Sequence, residues 1–315
     1  MVISLLQQGA HLLTLIIRRQ TPADYPAIAA LEGMPPEEVA AQAAGSPGFT
    51  GLVAVHESGR LLGRASAGFM PHATPAGDLR CLVQVVPAER RHGVGAALWH
   101  DLLEAVRPQH PAHLRANGSP HDPESVAWAQ RRGFAVTQHL LYQSLDLAAL
   151  DPAPWAALVA ASPFTFVTFD RLRSPAGEQR LHAMYQEYLS HTPDAAESPY
   201  QPFAPWREFA FGTEGAWPEG WMVALAPDGC WAGFTMAQLP GPAVAHIYMT
   251  GVAPGFRGQG LGMSLKAAAA LHARGAGIAR MTTLNHVRNA PILAVNRRLG
   301  FRVEEEILRL VRPGE

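Results

Sequence analysis

The sequence predicts an α/β protein with a mixed sheet, built as two tandem copies of one domain. Three observations carry that prediction. The first is a strand, a glycine-rich turn and a helix in direct succession. The β-branched and apolar run from His246 to Val252 stops at Pro254, the turn through Arg257, Gly258, Gln259, Gly260, Leu261 and Gly262 follows, and an Ala/Leu-rich helix continues from there. The second is that residues 82–98 repeat this pattern. Val85, Pro87, Arg90, Gly93 and Gly95 match Val252, Pro254, Arg257, Gly260 and Gly262, at an offset of 257 − 90 = 167. The third is that Arg-Gly-Phe at 132–134 and Leu-Gly-Phe at 299–301 share the same offset. Two landmarks with one offset imply duplication of a whole domain, because the period far exceeds the roughly 20–50 residues of solenoid repeats.

Taken in order, Met1 to Ile17 contain an apolar run that resembles a short signal segment. It lacks a basic start, is interrupted by Gln7, Gln8 and His11, and has no small-x-small cleavage site before Arg18. We expect Leu12 to Ile17 to be a first strand and residues 1–11 a leader of unknown use. Thr21 and Pro22 open a helical pattern as N-cap and first-turn proline, with helices expected over about 23–32 and 36–44. Gly51 to His56 and Arg60 to Gly68 read as a hairpin around Ser58-Gly59. Leu79 to Val86 is the next strand, Gly93 to Val106 a helix, and Ala112 to Arg115 a short strand. Asp122 to Arg132 is a helix capped by Asp122, and Phe134 to Leu147 supplies the last strands of the first copy.

Leu150 to Pro163 is rich in Ala and Pro and reads as a linker, with Trp155 packed against a domain. The expected domains are therefore 12–149, the linker 150–163, and 164–315. In the second copy we expect strands at 164–172, 221–226, 231–238 and 244–252, a helix to about Arg274, and a close through 280–284, 290–299 and 301–311. From Arg18 to Arg90 is 72 residues, whereas the similar stretch from Asp170 to Arg257 is 87, so the second copy carries about 15 more before its turn. The extra falls among Tyr185, Tyr188, Tyr200, Phe203, Trp206, Phe209, Phe211 and Trp217, which either line a pocket or pack an added helix.

The chain's 315 residues suit about two domains, and 48% hydrophobic with 16% charged residues describes an ordinary globular composition. A net charge of −1 gives no basic field for nucleic acid. Cys81 and Cys230 are too few for a disulfide framework, which fits a reduced cytoplasm. The N-terminal apolar run is too short to span a bilayer, so no membrane role is expected.

The glycine turn is the chemical clue. The first amides of a helix have no intrahelical partner and carry partial positive charge, and glycines at 258, 260 and 262 remove the Cβ atoms that would hold a phosphate away. A dinucleotide fingerprint would need glycine where Met263 stands, and a P-loop needs a Gly-Lys-Ser/Thr that is absent. What remains, Arg257-x-x-Gly260-x-Gly262, resembles the pyrophosphate loop of the GNAT acetyltransferases, and the chain is most similar to the tandem members of that family.

The resemblance implies two tandem GNAT acyl-CoA N-acyltransferase domains and acetyl-CoA as cosubstrate, with no metal. Cofactor contacts carry over to Val252, Ala253, Arg257, Gly258, Gln259, Gly260, Leu261, Gly262, Asn285 and Asn289. In the first copy they carry over to Val85, Val86, Arg90, Arg91, His92, Gly93, Val94 and Gly95. Asn289 also reads as an N-cap with Pro291 in the first turn.

For chemistry, transfer from a thioester needs a deprotonated amine, an oxyanion donor and a proton for the thiolate. His246, six residues before Val252, stands where relatives usually place a glutamate base, and is otherwise a strand histidine satisfied by a carbonyl. The oxyanion donor implied is the backbone N–H near Val252. Family members often have a tyrosine acid five residues before the Gly-Phe phenylalanine; here that position is Asn296, a poor acid, so Tyr248 is the alternative. The first copy has Leu79 at the base position and Ala129 at the acid position, and reads as catalytically degenerate.

These residues imply acetyl transfer to a primary amine of a small acceptor by a monomer or homodimer. A CoA-binding sensor or scaffold without turnover is the alternative from another class. Acylation of a protein has no electrostatic support.

Overall fold

The computed structural model describes residues 2–8, 11–46, 48–69, 77–192 and 200–314. The chain divides into two compact units, one formed by residues 1–137 with 308–315, the other by residues 138–307.

In the first unit, β1 (Val2–Gln8) pairs antiparallel with β2 (His11–Arg19). The segment expected to be a leader is therefore partly a strand. Alternation places Leu15 and Ile17 of β2 in the core. The chain then turns where Arg18 grips Asp24 through two contacts of 2.7 Å and the Asp24 carboxylate accepts the Thr21 N–H at 2.8 Å. This capping arrangement launches α1 (Tyr25–Glu32), and α2 (Pro36–Gly45) follows. β3 (Thr50–His56) and β4 (Leu61–Gly68) form the expected hairpin, with Gly59 at a φ of +86° in its turn.

β5 (Asp78–Val85), α3 (Val94–Val106), β6 (His113–Gly118) and α4 (Pro123–Gln130) come next. The Asp122 carboxylate caps α4 by accepting the Ser125 N–H at 3.1 Å. The strand order is β1-β2-β3-β4-β5-β6, and β5 with β6 is a parallel pair.

The second unit starts inside β7 (Ala135–Asp146), one long strand where more than one was expected. The Ala/Pro-rich linker contains α5 (Ala153–Ala160), whose Trp155 is buried in the second unit's core as expected. β8 (Thr165–Thr168) is shorter than the strand expected over 164–172, because residues 169–172 form a 3-10 turn. After it come α6 (Pro175–Leu189), α7 (Phe203–Phe211), β9 (Met222–Leu225), β10 (Trp231–Gly241) and β11 (Val244–Val252). α8 (Leu261–Gly275), β12 (Arg280–His286), α9 (Ala290–Arg298) and β13 (Arg302–Pro313) complete the chain. Here the order is β7-β12-β11-β10-β9-β8, with β11 and β12 parallel.

The closing strands are exchanged. In the first unit β6 pairs antiparallel with the end of β13, Gly118 opposite Leu308. In the second unit β12 pairs antiparallel with β7, Asn285 opposite Leu141. Both partners differ by the same 167 residues, so the two registers are identical with the strands traded. The continuous domains 12–149 and 164–315 are thus corrected: each unit takes its last strand from the other half of the sequence.

Two cores flank the sheet of the second unit. One, under α8 and α5, is lined by Ala245, Ile247, Leu261, Leu265 and Met281. The other is aromatic, with Phe169, Tyr185, Tyr188, Trp206, Trp221 and Phe234. Of the aromatics singled out in the sequence, Tyr185, Tyr188 and Trp206 are buried here and Tyr200 is exposed. Packing of α6 and α7 onto the sheet therefore accounts for most of them.

Candidate active site

The site is built around the end of β11. The parallel ladder between β11 and β12 runs from Val244 opposite Arg280 to Ile247 opposite Thr283 and then stops, while β11 continues five residues to Val252. The two strands diverge beyond that rung. Ala253 donates its N–H to Ala232 O at 2.8 Å, on the β10 side. Because bonds alternate along an antiparallel ladder, the Val252 N–H is left facing the other edge, into the gap. The Val252 carbonyl accepts from Arg257 Nε at 3.0 Å, so this arginine ties the turn to the strand it follows.

Between strand and helix the chain makes a 3-10 turn over Pro254–Phe256, then passes through Gly258 and Gly260, both at a φ of +77°. That left-handed backbone disfavours any side chain by about 1–2 kcal/mol and explains both glycines. A Cβ built at either would meet nothing within 4 Å, so the space above the turn is open. Gly260 is the N-cap of α8, whose first amides point out of the helix. The turn therefore fits a diphosphate group.

The first unit repeats this geometry. Its parallel ladder runs only from Asp78 opposite His113 to Arg80 opposite Arg115, Gly93 has a φ of +84°, and Arg90 Nε reaches Val85 O at 3.4 Å. Arg91 stands in place of Gly258 and takes a φ of +66°, which is rare for a residue with a Cβ.

His246 lies on the next-to-last rung before the strands part, opposite Thr282. Its Nδ1 is 2.9 Å from Thr282 Oγ1, not against a backbone carbonyl, and its ring stacks at 6.3 Å on Tyr142. Burial, and secondarily the charge of Lys266, pushes its pKa below the ordinary imidazole value. A half-buried neutral imidazole at the inner end of the gap suits proton abstraction.

The two candidate acids fare differently from expectation. Asn296 is wholly buried: its Oδ1 accepts from Lys266 Nζ at 2.5 Å, and its Nδ2 donates to Gln143 Oε1 and Asn285 Oδ1, each at 2.8 Å. A side chain so engaged does not reach a thiolate, which corrects the expected role. The Tyr248 hydroxyl is enclosed with no hydrogen-bond partner among the described residues, and burial raises its pKa well above the phenol value. It too is a poor proton donor. Asn285 is half-buried past the end of the parallel ladder. Asn289 is the N-cap residue of α9 with Pro291 in its first turn, as expected, and its side chain makes no cap hydrogen bond.

Sequence reasoning missed Lys266, Gln143, Thr282 and Tyr142. Lys266 is the chain's sole lysine, against 24 arginines, and that was its signal. It lies 1% exposed on α8, 4.9 Å from the Phe301 ring, and burial pushes its pKa down to about 7. Gln143 and Tyr142 sit on β7, in the half of the sequence assigned to the other copy, so no reading of continuous domains would place them here.

Comparison with known proteins agrees with this geometry. Residues 181–301 match the model of the acetyltransferase (GNAT) family. The chain is 28% identical to a mycothiol acetyltransferase of Geodermatophilus obscurus over 84% of this chain and 82% of that protein. It is 26% identical to another of that name from Catenulispora acidiphila, over 70% and 68%. Among solved structures, a GCN5-related N-acetyltransferase from Sphaerobacter thermophilus has a TM-score of 0.74 at 21% identity, covering 96% of this chain and 97% of that one. A tandem GNAT protein from the clavulanic acid biosynthesis pathway has a TM-score of 0.63 at 21% identity, covering 96% and 99%. Strand divergence, glycine turn and family match converge on one segment, residues 181–301, which match the acetyltransferase (GNAT) family model, and with the relatives' shared name they support an acetyltransferase.

Proposed function

We propose that the second unit transfers an acetyl group from acetyl-CoA to a primary amine of a small acceptor, and that the first unit has lost the chemistry. The observation that carries this reading is the divergence of β11 from β12 directly before the glycine turn, with His246 at its inner end. In this reading the amides around Gly258 to Gly262 hold the diphosphate. The acyl-bearing arm lies in the gap, where Asn285 and Asn289 contact it.

His246, neutral near pH 7, takes a proton from the acceptor ammonium. The amine nitrogen then bonds to the thioester carbon while the Val252 N–H stabilises the carbonyl oxygen as it gains charge. The C–S bond breaks, the electron pair leaves on sulfur, and the acylated nitrogen releases its second proton to solvent. With Asn296 and Tyr248 both enclosed, the thiolate departs without a protein acid, consistent with a thiol pKa of about 8.5. The first unit has Leu79 where the second has His246, and no base at that position. The relatives' name makes a mycothiol-type acceptor the first to try.

The test is release of free thiol from acetyl-CoA in the presence of an amine panel that includes a deacetylated mycothiol-type amine. Gly260→Asp and Gly262→Asp each place a carboxylate where the diphosphate belongs and should abolish both turnover and acetyl-CoA binding. Thiol release that ignores these changes, or tight acetyl-CoA binding without turnover on any amine, would refute the proposal, the second outcome in favour of a CoA sensor.

A further inference from the structure

Three buried polar side chains in the second unit that the mechanism above does not use, Lys266, Asn296 and Gln143, form one hydrogen-bonded cluster with the half-buried Asn285. Burying them is costly, and the fold does not require it. The first unit shows this, because the residues 167 positions away are Trp99, Ala129, Leu310 and Gly118. Three of these pack in the first unit's apolar core, and a Cβ at Gly118 would touch Leu310 at 3.1 Å. The same architecture is thus filled with hydrophobic groups where chemistry is absent and with polar groups where it is present. A buried polar cluster retained against an apolar alternative calls for a reason other than stability.

Donor and acceptor counting supplies one. A lysine ammonium, the form Lys266 holds below about pH 7, has three donors and no acceptor. It obliges Asn296 to turn Oδ1 inward, as seen at 2.5 Å. That leaves Asn296 with only N–H groups for its other neighbours, and both Gln143 Oε1 and Asn285 Oδ1 accept them at 2.8 Å. Thr283 Oγ1 also approaches Asn285 Oδ1, at 3.5 Å. The one acceptor atom of the Asn285 amide is therefore held inside the cluster, which leaves its Nδ2 as the group that can donate elsewhere.

We propose that Lys266 is a positioning residue: through Asn296 it fixes the Asn285 amide with its N–H groups outward, as donors to carbonyl oxygens of the acetyl-CoA arm. The inference rests on the proposed acetyl-CoA site and adds a residue that touches no ligand. An apolar residue at 266 frees Asn296 to flip, and Asn285 then presents either oxygen or nitrogen to the gap.

The experiment is a double-mutant cycle on acetyl-CoA affinity, measured at about pH 6, where the folded Lys266 is charged, by titration calorimetry on the full chain. Lys266→Met should weaken acetyl-CoA by about fivefold, the worth of one ordinary hydrogen bond. In an Asn285→Ala background the same change should cost less than about twofold, because the group it orients is gone. Should Lys266→Met not fold, Lys266→Leu with Asn296→Leu, an apolar filling in the manner of the first unit, replaces it in the cycle. Equal losses in both backgrounds, or a lowered melting temperature with unchanged affinity, would overturn the positioning role alone. Wild-type protein that does not bind acetyl-CoA would overturn the site itself, and this inference with it.

Discussion

Lys266 makes the stability of this protein depend on pH in a range where few side chains titrate. Burial lowers its pKa from the ordinary 10.5 to about 7. Between those values the unfolded chain binds a proton that the folded chain does not, so folding stability rises with pH through this window and the penalty is fully present below pH 7. At about 1.4 kcal/mol per unit, with the folded lysine half-titrated at pH 7, the gain from pH 7 to pH 9 is about 2 kcal/mol. Lys266→Met removes that contribution and leaves every other titrating group in place. Urea unfolding of both proteins at pH 7, 8 and 9 should show the wild type gaining about 2 kcal/mol on the variant, with equal m values. Parallel stability curves across this range would show that the ammonium is solvated in the folded state, and the account of Lys266 as an enclosed group would fail.

Four further outcomes follow from the structure. A Cβ on Gly251 would lie 2.2 Å from the ring of Tyr188, which is itself 4% exposed; Gly251→Ala should therefore cost about 1–3 kcal/mol in urea unfolding, and a Gly251→Ala variant as stable as wild type would refute the tight approach of α6 to β11. Because burial and the Lys266 charge hold the His246 pKa below the imidazole norm, activity should stay flat as pH falls through 6.5 and decline only below it. Lys266→Met should move that decline upward, and His246→Gln should lower kcat on the order of a hundredfold or more and erase the decline; a pH profile that His246→Gln leaves unchanged assigns the base elsewhere.

The strand, turn and helix around Val252 were legible because each step has its own residue signature: β-branched alternation, proline at the stop, and glycine where φ is positive. The duplication was legible from two landmarks at one offset. The exchange of β7 and β13 was not, and the reason is the duplication itself. Both strands carry the pattern suited to the same slot, so the sequence states what fills the slot without stating which copy supplies it. For the same reason Gln143 and Tyr142 could not be assigned to the second unit. Asn296 was placed by its distance from the Gly-Phe pair, which fixes its position on α9 but not the side of the helix that faces a buried lysine. The aromatic surplus before the second turn was counted correctly, and its packing of α6 and α7 follows from burial that composition alone does not reveal.

The two units together separate what the fold needs from what the chemistry needs. Both keep the short parallel ladder, the glycine turn and the arginine that bonds back to the strand, Arg90 to Val85 and Arg257 to Val252. Those features therefore belong to the architecture, and their presence in the first unit is no sign that it turns over. Histidine 246 and the Lys266 cluster occur once. Their counterparts, Leu79 and Trp99, are 6% and 7% exposed and belong to one apolar core. An apolar core at those positions is the less costly solution, since it leaves no polar group to satisfy. The second unit departs from it at His246, the proposed base, and at the cluster around Lys266, and at both places the departure adds a group whose state depends on proton concentration. Under the proposed function, that asymmetry is what chemistry confined to one unit of a duplicated fold would leave.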